Sequence, residues 1–151
     1  MKNRIDISFD DEAASLKKLF LTKKQVTEWA NAVAAEVNLN DFEVSIFFCS
    51  DEQIRTLNRD YRSLDEVTDV LSFSQSEGED VGFPIGKRRQ LGDIVISLSQ
   101  TLRQAAEDNH DPIAEEKMLI LHGILHLLGY DHVTDNGEMM QLQEEIIKKL
   151  S

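Results

Sequence analysis

The sequence predicts a single-domain α+β fold, a small mixed β-sheet of about four strands packed against helices. Three observations lead there. Short β-branched and aromatic segments are interspersed with helical ones along the chain. MLILHGILHLL (118–128) is apolar nearly all round, so a helix built from it must run through the core. The 151 residues contain no repeat, low-complexity tract or linker, and a chain of that size buries a substantial core unaided.

RIDISFD (4–10) alternates apolar and polar residues, as an edge strand does. TKKQVTEWANAVAAEVNL (22–39) places Val26, Trp29, Ala30, Val33 and Val37 on one helical face. FEVSIFFCS (42–50) has the composition of a central strand, and Ser50 can cap a helix through DEQIRTLNRDY, whose early acids suit the helix dipole. TDVLSF (68–73) and GDIVIS (92–97) read as two more strands, with a Gly- and acid-rich loop from Ser74 to Arg89 between them. Helices follow at 99–109 and 112–128, the second opened by Asp111 as cap and Pro112 at its first position. Gly129 closes that helix, and a final amphipathic helix over 136–149 lies on the outside.

Bulk properties narrow the function. Cys49 is the sole cysteine, so no internal disulfide is required. The N-terminal segment lacks the apolar core of a signal peptide, and no later run is long enough to span a bilayer, so a soluble cytoplasmic protein is expected. A net charge of −12 and a pI near 4.7 argue against non-specific nucleic-acid binding. The charge is uneven, however: six acids and no Lys or Arg lie between Asp65 and Asp80, Lys87-Arg88-Arg89 forms a basic cluster, and Arg55, Arg59 and Arg62 recur at helical spacing.

The chemistry resides in HGILHLLGYDH (122–132). Residues four apart share a helical face, so His122 and His126 can present imidazoles to one metal ion. Gly129 can take the left-handed conformation that ends a helix and send the chain back, so that His132 reaches the same ion. Three neutral imidazoles suit zinc and leave a fourth position for water. A structural zinc would need a fourth protein ligand, for which Cys49 is a candidate, although a buried strand thiol is the simpler reading of that residue. His110 falls outside the frame and reads as surface.

Zinc peptidases with this histidine spacing carry a glutamate base directly after the first histidine. Here that position is Gly123. A peptidase needs the base to move a proton to the leaving amine, whereas phosphodiester cleavage chiefly needs charge neutralised on phosphoryl oxygens. Gly123 would also remove bulk and negative charge beside a metal. Its presence disfavours peptidase chemistry more than phosphodiester hydrolysis.

HGILHLLGYDH, with LNRDYRSLDEVTDVLSF (57–73) and LGDIVIS (91–97), resembles the YbeY family of single-strand endoribonucleases that mature ribosomal RNA. The similarity runs from about Asp51 to Asp135. The family commonly follows TDVLSF with a proline, and here Ser74-Gln75 follows. The resemblance implies that His122, His126 and His132 hold one zinc ion and that Arg62 faces the cleft, suited to bind a phosphate in bidentate fashion. Arg62 and His122 are thus the candidate catalytic residues.

A salt bridge to Asp65 or Asp69 is the alternative role for Arg62. Asp69 and Asp93 either orient the ligand histidines or cap turns, Asp131 is a possible proton acceptor, and Asn58 either contacts substrate or packs its helix. The resemblance further implies action on single-stranded 16S rRNA near its 3′ end, a part in ribosome quality control, and contacts with small-subunit ribosomal proteins and a ribosome-associated GTPase. Attack by water and attack by the neighbouring 2′-hydroxyl are both compatible with these residues. An assembly factor with a structural zinc and a peptidase recruiting its base elsewhere are the rival readings.

Overall fold

Four strands form one sheet in the computed structural model, which describes residues 3–75, 88–130 and 136–151. They are β1 (Arg4–Phe9), β2 (Phe42–Cys49), β3 (Val70–Ser74) and β4 (Arg89–Ser97), in the spatial order β1-β2-β4-β3. β1, β2 and β4 run parallel, and β3 joins the far edge antiparallel to β4. The expected mixed sheet is therefore present, with RIDISF at one edge and FEVSIFFC inside. The helices are α1 (Asp11–Leu16), α2 (Lys23–Glu36), α3 (Asp51–Arg62), α4 (Leu98–Glu107), α5 (Pro112–Leu127) and α6 (Glu138–Leu150). Among the described residues no helix is long and apolar enough to cross a membrane.

Local chemistry sets the helix starts. Thr22 and Gln25 form a reciprocal capping box at α2, Ser50 and Ser97 cap α3 and α4, and Asp111 caps α5 ahead of Pro112. Each such cap satisfies an amide that would otherwise lack a partner, and typically contributes about 1 kcal/mol. α1 was not foreseen. Its six residues are too few to show a period, and its cap, Asp10, reads in sequence as the end of the first strand.

Two further boundaries differ from expectation. β3 begins at Val70, because the Asp69 carboxylate accepts from the Val70 amide and the Thr68 hydroxyl and so holds Thr68-Asp69 as a turn. β4 begins at Arg89, inside the segment expected to be loop, because Arg89 and Gln90 pair with Phe42 and Glu43. A bulge then places Val44 opposite Gly92 rather than Leu91, which brings Leu91 onto the same face as Ile94.

The sheet separates two apolar clusters. Phe42, Val44, Ile46 and Phe48 of β2 join Ile94 and Ile96 of β4 beneath α2 and α5 in the main core. The opposite face holds a smaller cluster of Cys49, Ile54, Leu71 and Val95, against which Phe47, Leu57 and Phe73 pack under α3. α5 carries the largest share of buried residues of any helix, as its sequence requires, and is stitched to α2 and the residue before its cap by polar bonds. The Leu21 amide donates to Glu116 Oε1 (2.8 Å) and Trp29 Nε1 donates to the Lys117 carbonyl (2.9 Å).

Candidate metal and phosphate site

His122 and His126 lie on one face of α5, with ring centroids 4.8 Å apart and planes inclined by 57°. Both are half-buried on an otherwise buried stretch. His122 Nδ1 lies 3.1 Å from Gln143 Oε1. The amide oxygen accepts at this contact when Nδ1 carries the proton, and that tautomer leaves the Nε2 lone pair for a ligand. That is how a ligating histidine is ordinarily oriented by an outer partner. The donor set, two imidazoles one helical turn apart with an amide oxygen against the first, fits a divalent ion.

Gln143 was missed in sequence because α6 was read simply as an outer amphipathic helix. A signal existed: Met139, Gln143 and Ile146 occupy one helical stripe, all three are buried, and only the middle one is polar. Gly129 ends α5 as expected, with φ +100° and its amide bonded to the His126 carbonyl (3.0 Å). His132, the third expected ligand, and Asp131 lie outside the described residues, as does Lys87 of the basic cluster.

Gly123 has a different explanation from the one its position beside a metal suggested. A Cβ there would come within 2.8 Å of Ile94 Cγ2 and 3.0 Å of its Cδ1. The missing side chain therefore faces the sheet, where α5 and β4 are in close contact. A glutamate could not be accommodated without forcing the helix off the sheet.

Arg62, the last residue of α3, donates from Nη2 to the Ser72 carbonyl (3.1 Å), and its guanidinium lies 6.0 Å from the Phe73 ring centre. Both contacts are to edge strand β3. The salt-bridge alternative fails among the described residues: Asp65 is held by Arg55 at 2.8 Å and 3.3 Å, and that guanidinium lowers the Asp65 carboxyl below its usual range. Asp69 binds the Val70 amide and Gln104 Nε2 (3.0 Å), which leaves it a turn and helix tie rather than a histidine partner. Asp93 follows Gly92 and precedes Ile94, so it points to the face opposite α5 and lines a hollow under α3 instead. Asn58 is buried and donates to the Glu66 carbonyl (3.0 Å), the packing role of its two. Cys49 sits in the α3-side cluster, away from α5, and burial followed by the charges of Asp10, Asp51 and Glu12 pushes its thiol up to about 12. It is an inert strand thiol, not a fourth ligand.

A second group of donors is present at the α4–α5 turn. Ligand atoms of Asp108, His110 and Glu115 all lie within 4.8 Å of one another, an arrangement compatible with a metal ion. His110 is exposed, as read from the sequence, and its Nδ1 lies 3.4 Å from Glu115 Oε2. A groove of about 850 Å³ is lined by these residues, by Met118 and by Gln143, the same glutamine that holds His122.

The family model described as Endoribonuclease YbeY matches residues 6–151. The chain belongs to the YbeY endoribonuclease family. YbeY relatives include Endoribonuclease YbeY of Aquifex aeolicus, 42% identical over 90% of this chain and 89% of that protein. The Sulfurihydrogenibium sp. protein of the same name is 42% identical over 99% and 94%, and that of Bacillus cereus 41% identical over 94% of each. The solution structure of TM1509 from Thermotoga maritima superposes with a TM-score of 0.63 at 28% identity, covering 97% of this chain and 88% of that one. The YbeY match includes the helix with His122 and His126, the α3 end with Arg62, and α6 with Gln143.

Proposed function

We propose that this chain is a metal-dependent endoribonuclease that cuts single-stranded ribosomal RNA, acting in 16S 3′-end maturation and ribosome quality control. The observation that carries the reading is the His122–His126 pair on α5, with Gln143 Oε1 at 3.1 Å from Nδ1 of the first ring, in a chain of the YbeY family. His122, His126 and His132 would hold the ion, and an all-imidazole set favours zinc over the hard cations. When bound, it supplies positive charge to a phosphoryl oxygen of the scissile link.

Arg62 binds the phosphate. One Nη2 proton is engaged by the Ser72 carbonyl, which orients the fork, and its remaining N–H groups are available to an anion. Gly123 supplies no base, which is consistent with phosphodiester rather than peptide chemistry. The acidic exterior, with a net charge of −12, suits docking on basic small-subunit ribosomal proteins and on a ribosome-associated GTPase in a cytoplasmic setting.

The test is metal analysis and cleavage of precursor rRNA by wild type, His122→Ala, His126→Ala and Arg62→Ala prepared in parallel. The histidine variants are expected to lose metal and cleavage together, and Arg62→Ala to keep its metal and lose cleavage. Undiminished cleavage by metal-free protein would refute the reading. A single 2′-deoxy sugar at the cut site distinguishes the nucleophiles, since only attack by the 2′-hydroxyl is lost there.

A further inference from the structure

The second face of the sheet carries a hollow that the metal site does not use. Its volume is about 340 Å³, and it is lined by Phe47, Leu57, Tyr61, Phe73, Asp93 and Val95. Five of these present carbon surface, and one presents a carboxylate. Tyr61 stands at the rim, 71% exposed, far more than a tyrosine kept for packing needs. Its ring meets the Phe73 ring edge-on at 5.4 Å, with an angle of 64° between planes. Asp93 sits across the ladder from Phe73, its register partner on β3, and its side chain makes no hydrogen bond or ion pair among the described residues. The nearby arginines do not neutralise it: Arg55 pairs with Asp65, Arg59 with Asp60, and Arg62 bonds to Ser72.

An aromatic rim around a carboxylate that pairs with no cation among the described residues repels a phosphate and attracts a flat molecule with a donor edge. Arg62 borders the same aromatic ring, 6.0 Å from the centre of Phe73, and so places a phosphate-binding group beside the hollow. A flat ring next to a phosphate is a nucleotide. We propose that this hollow is a nucleobase subsite for the RNA strand, with Tyr61 and Phe73 stacking on the base and Asp93 selecting one whose Watson–Crick edge donates, guanine foremost. Guanine offers N1–H and N2–H side by side, which matches the two oxygens of a carboxylate. Cytosine and adenine offer one amino group each, and uracil flanks its single N–H with two carbonyls that the carboxylate repels. The inference rests on the ribonuclease reading and adds a specificity to it: Tyr61 and Asp93 are specificity-determining residues, not catalytic ones.

Fluorescence anisotropy on labelled nine-nucleotide RNAs tests it, with a uridine strand compared to the same strand carrying one central guanosine, inosine, cytidine or adenosine. Cleavage of each strand is measured in the same samples. Wild type is expected to bind the guanosine strand about tenfold more tightly than all-uridine RNA, with inosine, which lacks the N2 amino group, in between. Asp93→Asn is expected to erase the guanosine preference, weakening the guanosine strand and tightening the all-uridine strand, whose carbonyls no longer meet a repelling carboxylate. Tyr61→Ala is expected to weaken every strand by roughly five- to a hundredfold, and Tyr61→Phe to restore binding. Tyr61 is exposed, so its variants keep the test valid even if Asp93→Asn misfolds. Equal affinity for all strands, with cleavage intact, overturns the subsite and leaves the ribonuclease reading standing. Absence of both binding and cleavage for every strand overturns both.

Discussion

The two faces of the sheet are built on different scales. Under α2 and α5 lies the main core, into which Ile94, Ile96, Phe42, Phe48, Ile120, Leu121, Ile124 and Leu125 are fully buried. Under α3 the buried cluster is four residues, and beside it Phe47, Leu57 and Phe73 are only partly covered. The thick face has the rigidity to hold two imidazoles at a fixed separation, which metal binding demands. The thin face is left with an open hollow and exposed Tyr61, which suits reversible contact with a strand that must enter and leave. Polar groups follow the same division. On the α5 side Glu116 and Gln143 are buried and committed; on the α3 side Asn58 is buried too, but the arginines are mostly solvated.

Substitutions should affect the two faces to different degrees. The largest effect is expected from Gly123→Glu, which places a charged side chain where a Cβ alone already meets Ile94 at 2.8 Å. Overpacking and charge burial together should cost several kcal/mol, read as loss of the cooperative melt or of soluble protein. A stable, folded variant would mean that the α5–β4 contact is looser than described.

Glu116→Gln sharpens the contrast through pH. Burial raises the Glu116 carboxyl from 4.5 to about 7, against the smaller lowering influences of the Leu21 amide and Lys117. A folded-state value above the unfolded one means that the native state favours the protonated acid. This stabilisation is fully present below pH 4.5 and is lost as pH rises through about 7. The glutamine keeps an acceptor for the Leu21 amide and never ionises. It should match wild type near pH 4.5 and exceed it at pH 8, by on the order of 3 kcal/mol. Denaturant melts at both pH values measure this, and a variant less stable at pH 8 would contradict it.

Gln143→Ala comes next. It removes the acceptor from His122 Nδ1 and should weaken metal affinity by roughly 10–100-fold with little change in fold, measured by chelator competition. On the thin face, Asn58→Ala removes the buried amide that ties α3 to the Glu66 carbonyl and should cost about 1 kcal/mol in denaturant melts. The smallest effect is expected from Arg55→Ala. Its pairing with Asp65 lies on the exposed surface, and the melting midpoint should not move measurably.

Much of this was legible in sequence because it depends on local spacing. Asp111-Pro112 opens α5, Gly129 ends it, and the apolar run between them can only be a core helix. His122 and His126 share a face because residues four apart always do. Arg62 was legible as a candidate, but its anchor on the Ser72 carbonyl was not, since the partner lies ten residues away on another element. Gln143 lies 21 positions from His122, and the sequence offers only a glutamine within an apolar stripe. Asp93 could have faced either side of the sheet until the bulge opposite Val44 fixed the alternation.

The sequence alone therefore determined most of the elements and the placing of His122 and His126 on one face of α5, because helical periodicity and capping are properties of neighbouring residues. The tertiary structure decided which face each remaining residue serves. It turned Gly123 from a gap beside a metal into a contact with Ile94, sent Asp93 away from the histidines, and brought Gln143 to His122. The reason is that close packing is settled between distant segments. A side chain's partner is whatever the folded chain brings within a few ångströms, and neither its type nor its spacing encodes that.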